Sequence, residues 1–258
     1  MTVESYPLPA ARASPEVSII VPVFDEEGAV VGLAREIADA FQSWNFEILF
    51  IDDASGDATA QRLSAAAAEI PRLRVLRHAR NAGQSRAIRT GVAAARAPVV
   101  VMLDGDGQND PADAPILVRA LVAAPANLAM IGGERRRRRD SLSKRLASRL
   151  ANGVRRRLLA DSAADTGCGL KVFRREAFLA LPYFDHMHRY LPALMLREGF
   201  DIAFEPVNHR ARSAGRSKYT NLGRLGVALF DLAGVVWLRS RARDPGVVQE
   251  TPPSQAET

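Results

Sequence analysis

Val99-Val-Val-Met-Leu-Asp-Gly-Asp-Gly-Gln-Asn-Asp-Pro111 is an uncharged apolar run that breaks off in three acids, Asp104, Asp106 and Asp110, with glycines at 105 and 107. Such a run reads as a strand buried on both faces, as in parallel sheets. Open α/β sheets hold their ligands at the C-terminal ends of strands, where this strand carries its carboxylates. Alternate residues of an extended chain share a face, so Asp104, Asp106 and Gln108 can point the same way. Two carboxylates and an amide oxygen are hard donors, suited to Mg²⁺ or Mn²⁺ that also holds a phosphate. Without a cation, clustered carboxylates repel one another. The other reading of these residues is an Asp/Gly turn that merely closes a strand.

Outward from this stretch the pattern repeats. Val17–Val23 is a second buried-strand candidate, followed by Phe24-Asp25-Glu26-Glu27-Gly28, and Phe46–Ile51 is a third, running into Asp52-Asp53-Ala-Ser-Gly-Asp57. Helical stretches are expected from Ala29 to about Trp44, from Ala58 to Ile70 and from Gln84 to Ala95, with a short strand over Leu73–Arg77. Alternation of strand and helix predicts an α/β domain with a mostly parallel sheet flanked by helices. Three strand ends that all carry acids then share one edge of the sheet and form an acidic cleft.

Pro22-Val-Phe-Asp-Glu26, Ile51-Asp-Asp-Ala-Ser-Gly-Asp57, Asn81-Ala-Gly-Gln-Ser-Arg86 and Asp104–Pro111 resemble the ordered motifs of family 2 glycosyltransferases with the GT-A (Rossmann-like) fold. Asp165-Thr-Gly-Cys-Gly-Leu-Lys171, His188-Arg-Tyr-Leu-Pro192 and Gly215-Arg-Ser-Lys-Tyr219 resemble the polyprenyl-phosphate branch, the one that includes dolichol-phosphate mannose synthases. The likeness runs from Val17 to Tyr219. It implies a nucleotide-sugar donor, GDP-mannose or a UDP-sugar, and a polyprenyl (dolichyl or undecaprenyl) phosphate acceptor.

The resemblance also implies roles. Asp106 and Gln108 become metal ligands, with Asp104 between metal and ribose. Asp52 and Asp53, with Pro22, Val23, Asp25 and Glu26, are expected at base and ribose, and a purely structural strand-end role for the two aspartates stays open. Asn81 and Gln84 join the donor side. Arg216 and Lys218 are expected on the donor diphosphate, on a Gly/Ser-rich loop. Arg135, Lys144, Ser148 and Arg189 are expected at the acceptor phosphate, and His188 either beside them or capping a helix. Asp165 holds the donor sugar or orients Lys171.

Charge is placed unevenly. Residues 135–157 hold eleven basic residues against the single acid Asp140, a net +10 inside a chain whose total is +6. A solvated helix face is one reading, and attraction to anionic lipid and the acceptor phosphate is the other. Nucleic acid is disfavoured, because no aromatics are interleaved. Leu225–Leu238 contains Asp231 and is too short for a bilayer core of about 30 Å. Leu222, Leu225, Leu229, Leu232 and Val236 fall at helical spacing, with Arg224 and Asp231 opposite. The expectation is an amphipathic helix over 221–243, either capping the domain or lying on the cytoplasmic face of a membrane. A small membrane-spanning partner is the other route to a lipid. Residues 1–16 and 244–258 are expected to be disordered flanks of a glycosyltransferase domain over 17–220. The single Cys168 excludes an intrachain disulfide, suits a reducing compartment and reads as a small buried residue.

A phosphate nucleophile is already ionised at neutral pH, so no general base is required, and the sequence offers no evident His–carboxylate pair. Two other readings stay open: a soluble glycosyltransferase acting on a hydroxyl of a polysaccharide or protein, and a catalytically silent nucleotide-sugar or lipid-binding module.

Overall fold

The computed structural model describes residues 14–135, 159, 167–210 and 221–243, and only the backbone of 221–225 and 228. Strands β1 (Val17–Val23), β2 (Phe46–Asp52), β3 (Leu73–Arg77), β4 (Val99–Met102), β5 (Leu128–Arg135), β6 (Lys171–Arg174) and β7 (Asp201–Val207) form a sheet of order β3-β2-β1-β4-β6-β5-β7. Only β6 runs against its neighbours, β4 and β5. Because β2, β1 and β4 are parallel neighbours, their acid-bearing ends lie side by side, as expected. The antiparallel β6 carries no alternating pattern that separates it from its surroundings in sequence.

Side-chain alternation sorts the core into two layers. Val17, Ile19, Val21 and Val23 face the layer packed with α1 (Val30–Ala40), α2 (Thr59–Glu69) and α4 (Ala114–Ala123). Ile20, Leu49, Ile51, Val100 and Met102 face α3 (Gln84–Ala94), α5 (Arg175–Ala180), α6 (Leu191–Arg197) and Val235 of α7 (Asn221–Ser240). Each fully buried aliphatic side chain contributes about 1.5–3 kcal/mol. Helix α1 stops at Ala40 and not near Trp44: a turn, closed by Trp44 N–H on Phe41 O at 2.8 Å, folds Phe41 and Trp44 back onto the core. At the N-terminal boundary, Ser14 and Glu16 fall within the expected disordered arm, yet Asn45 Nδ2 donates to Ser14 O and Glu16 N–H to Asn45 O. Residues 1–13 and 244–258 lie outside the described residues.

Helix α7 departs from the expected phase. It docks through Asp231, Leu232, Val235 and Leu238, with Val235 fully buried and the Asp231 side chain only 12% exposed. Asp231 is therefore on the packed face, not opposite it, because His186 waits there to pair with it. Leu229, expected on the stripe with Leu232 and Val236, is 59% exposed, and Val227, Phe230 and Trp237 are exposed with it. Arg197 Nε donates to Leu238 O and ties α6 to the helix end. No helix among the described residues is long and apolar enough to cross a membrane.

Candidate active site

The first two strand-end loops are zipped together by their own side chains. Asp25, at φ 51, donates its N–H to Ser55 Oγ and accepts from Gly56 N–H at 2.7 Å. Glu26 N–H donates to Thr59 Oγ1, while Glu27 and Asp57 exchange bonds with Ala58 and Glu27 N–H. Asp52 accepts from Ser55 N–H, is fully buried, and lies 3.1 Å from Arg77 Nε. Asp53 accepts from Ala82 N–H and Gly83 N–H at 2.9 and 2.8 Å, and its Oδ1 lies 2.6 Å from His78 Nδ1. Asn81 Nδ2 donates to Asp53 O. Both aspartates therefore hold backbone in place, the structural role left open above. The surface offered to a ligand is the loop they fix, with Pro22 O and Val23 close against Gly105.

The DGDGQND loop follows β4. Gln84 Nε2 donates to Asp104 Oδ1 at 2.9 Å, so the expected donor-side pair Gln84 and Asp104 is brought together. Asn109 Oδ1 accepts from Asp104 N–H, and Asp106 Oδ1 accepts from Gln108 N–H. Gly169 closes the other side: a Cβ there would stand 2.0 Å from Asp104 Oδ2. Burial, and then the neighbouring charge of Asp106, push the Asp104 carboxyl above the usual carboxylate range, while Lys171, Gln84 and Arg135 pull it back. Two carboxylates that repel each other in a partly closed place fit a divalent cation. No group of three or more His, Cys, Asp or Glu able to hold a metal occurs among the described residues. The chain would thus supply Asp104, Asp106 and Gln108, and phosphate or water the rest, a division that suits Mg²⁺ or Mn²⁺.

The turn Met187–Arg189 reaches this side of the sheet through Ser85. His188 Nδ1 lies 2.7 Å from Ser85 Oγ, one residue beyond Gln84. Burial, then the charges of Arg189, Lys171 and His186, push this imidazole down to about 3. Arg189 thus sits beside a neutral histidine, and Arg135 within electrostatic reach of Asp104. Lys144, Ser148, Asp165, Arg216 and Lys218 lie outside the described residues.

The structure adds contacts to this site that the sequence reading did not specify. Lys171 is buried at 3% exposure, donates to Cys168 O and acts on both Asp104 and His188. Arg210 donates its N–H to Gln108 O and pairs with Asp110 and Glu36, while Asn208 is held by Asp113. Contrary to the expectation of none, His–Asp pairs exist: besides the sequence neighbours His186 and Asp185, the structure joins His78 to Asp53 and His186 to Asp231. The partners in the last two pairs stand 25 and 45 residues apart, so no local pattern could reveal them. Cys168 is buried, as expected.

Residues 18–181 match the family model "Glycosyl transferase family 2". The chain is 34% identical over 238 residues to a dodecaprenyl-phosphate galacturonate synthase of Rhizobium johnstonii, covering 90% of this chain and 69% of the relative. It is 34% identical over 223 residues to an undecaprenyl-phosphate 4-deoxy-4-formamido-L-arabinose transferase of Edwardsiella ictaluri, covering 84% and 66%. The chain thus spans about two thirds of the length of these relatives. Glucosyl-3-phosphoglycerate synthase of Mycobacterium tuberculosis, solved with phosphoglyceric acid, superposes with a TM-score of 0.66 at 22% identity, over 92% of this chain and 84% of that one. The same enzyme solved with Mn²⁺, uridine diphosphate and phosphoglyceric acid gives 0.65 over 92% and 83%, again at 22% identity. Motif order, the α/β sheet with its acid-bearing edge, and these matches agree: the chain belongs to glycosyl transferase family 2.

Proposed function

We propose that this glycosyltransferase moves a sugar from a nucleotide-sugar donor, GDP-mannose or a UDP-sugar, to the phosphate of a polyprenyl phosphate, inverting the anomeric configuration. The observation that carries the reading is the Met187–Arg189 turn, joined through Ser85 to the neighbouring Gln84 that donates to Asp104. There an arginine adjoins an imidazole pushed down to about 3, a poor base for a hydroxyl but a fitting neighbour for an anion. The His–Asp pairs do not replace that base. His78 has its second nitrogen on Thr90 Oγ1, and His186 stands between Asp231 and Asp185. The curated relatives, both named for polyprenyl-phosphate substrates, support the acceptor class.

A phosphate oxygen attacks the anomeric carbon while the bond from that carbon to the nucleoside diphosphate breaks, so no proton has to leave the nucleophile. Asp104, Asp106 and Gln108 would hold the divalent ion, which when bound would neutralise charge on the diphosphate. Arg135 and Arg189, with Lys144 and Ser148, draw the acceptor phosphate in, and Arg216 and Lys218 the donor diphosphate. Pro22, Val23, Asp25, Glu26, Asp52, Asp53, Asn81 and Gln84 shape the nucleotide side. The lipid is met at an anionic membrane surface by the exposed Val227, Leu229, Phe230 and Trp237 together with Arg241 and Arg243.

Transfer assays with Mn²⁺ and a panel of nucleotide sugars test this. Short polyprenyl phosphates are expected to be glycosylated and the matching polyprenyl alcohols not. Equal rates with both would overturn the reading in favour of a hydroxyl acceptor.

A further inference from the structure

We infer that Asp231, on α7, is a positioning residue for the acceptor half of the site, acting through His186 on the turn that carries His188 and Arg189; this rests on the lipid-phosphate reading above. His186 stands at φ 64, immediately before that turn. A non-glycine residue in this left-handed region is strained and persists only where its surroundings hold it. Two carboxylates do so. Asp185 Oδ1 accepts the His186 N–H at 2.8 Å, and Asp231 Oδ2 lies 3.0 Å from His186 Nδ1. That Asp231 oxygen is buried and has no hydrogen-bond partner among the described residues, so the facing imidazole is its compensation. A buried carboxylate without compensation is strongly unfavourable, so α7 docks where His186 can meet it.

Contacts run on from this pair into the site. Arg189 N–H donates to His186 O at 3.0 Å, and His188 reaches Ser85. Asp185 Oδ1 stands 3.3 Å from where a Cβ on Gly83 would be, and Gly83 N–H is held by Asp53. The turn is therefore fixed at one end by the donor-side loop and at the other by α7. Removing the α7 end leaves the donor side intact and frees Arg189, so the acceptor alone is bound less well.

Steady-state kinetics of the full chain separate the two substrates. Asp231→Ala is expected to raise the KM for a short polyprenyl phosphate about tenfold while leaving the donor KM unchanged. Asp231→Asn keeps an oxygen facing the imidazole and is expected to return acceptor KM to within about twofold of wild type. His186→Gly removes the ring but keeps the left-handed backbone at no cost, and is expected to match Asp231→Ala. The double variant is expected to add nothing to either single one. The inference is overturned if Asp231→Ala keeps the wild-type acceptor KM, raises both KM values together, or multiplies with His186→Gly. Should Asp231→Ala not fold, His186→Gly and Asp231→Asn decide on the same criteria. A wild-type chain that glycosylates no lipid phosphate overturns the acceptor reading and this inference with it; an active wild type with an indifferent Asp231→Ala overturns this inference alone.

Discussion

At the amino ends of β1 and β2, Glu47 accepts from Ser18 Oγ and from Arg96 N–H, both at 2.7 Å, and pairs with Arg74 at 2.6 Å; Ser18 Oγ in turn accepts from Ala97 N–H. At the carboxyl end of β4, Asp104 has an amide on one oxygen, Gly169 against the other, and the like charge of Asp106 beside it. One sheet thus uses its acids in two ways. The lower network closes on itself and ties three strands to the α3–β4 connection, which is a stability device. The upper pair sets two like charges side by side, which suits a binding device. Neither an acid's sequence neighbours nor the strand end alone tells the two apart, since Asp52 and Asp53 at the carboxyl end of β2 also hold backbone.

The sharpest way to break this comparison is Asp106→Ala. It is expected to lower transfer about 10²–10³-fold and to leave the melting temperature unchanged or raised, since it relieves repulsion. Normal turnover by that variant in EDTA would place the metal elsewhere. Glu47→Ala should do the reverse. Stripping a buried acceptor from Arg74, Ser18 and Arg96 is expected to cost about 3 kcal/mol in denaturant unfolding, with kcat/KM of the folded fraction unchanged.

Gly169→Ala sharpens the upper half. A Cβ 2.0 Å from Asp104 Oδ2 and 2.6 Å from Asn109 Oδ1 must displace that carboxylate. About a 10²-fold loss in kcat/KM is expected, with about 1–2 kcal/mol lost in stability; a wild-type rate would mean that the exact seat of Asp104 is unimportant.

A pH slope tests the acceptor side of the site. His188 titrates at about 3 when folded against 6.5 when unfolded, so between these values the unfolded chain binds the extra proton. Stability from this group is complete above pH 6.5 and declines as pH falls toward 3, by at most about 1.4 kcal/mol per unit. Subtracting the unfolding profile of His188→Gln from wild type isolates that slope, and a flat difference would refute the buried neutral imidazole.

Strands β1 and β3 were legible to the residue and β2 to within one, because turn residues cut each of them off, and the acid edge followed from their parallel order. The end of α1 was not, because burial of Phe41 and Trp44 overrides helical periodicity. The phase of α7 was misread for a related reason. Apolar spacing alone favours Leu229 inward, whereas the helix turns to bring Asp231 to His186. Within the site, Asp104, Asp106 and Gln108 announced themselves as a cluster. Arg210 and Asp231 did not, since each meets its partners only across the fold, and Lys171, which closes the Asp165–Lys171 motif, acts on Asp104 and His188 only there.

The slot that β6 fills has a consequence for the order in which the chain comes together. Strands β1, β2 and β3 and one side of β4 find all their partners within residues 17–102, whereas β5 reaches β4 only through β6, which lies some 35 residues further along. On an emerging chain the first four strands can form a half-sheet whose β4 edge stays open until Lys171–Arg174 arrives. That last strand brings Lys171 to the Asp104 end, so the edge that binds ligand is also the edge completed late.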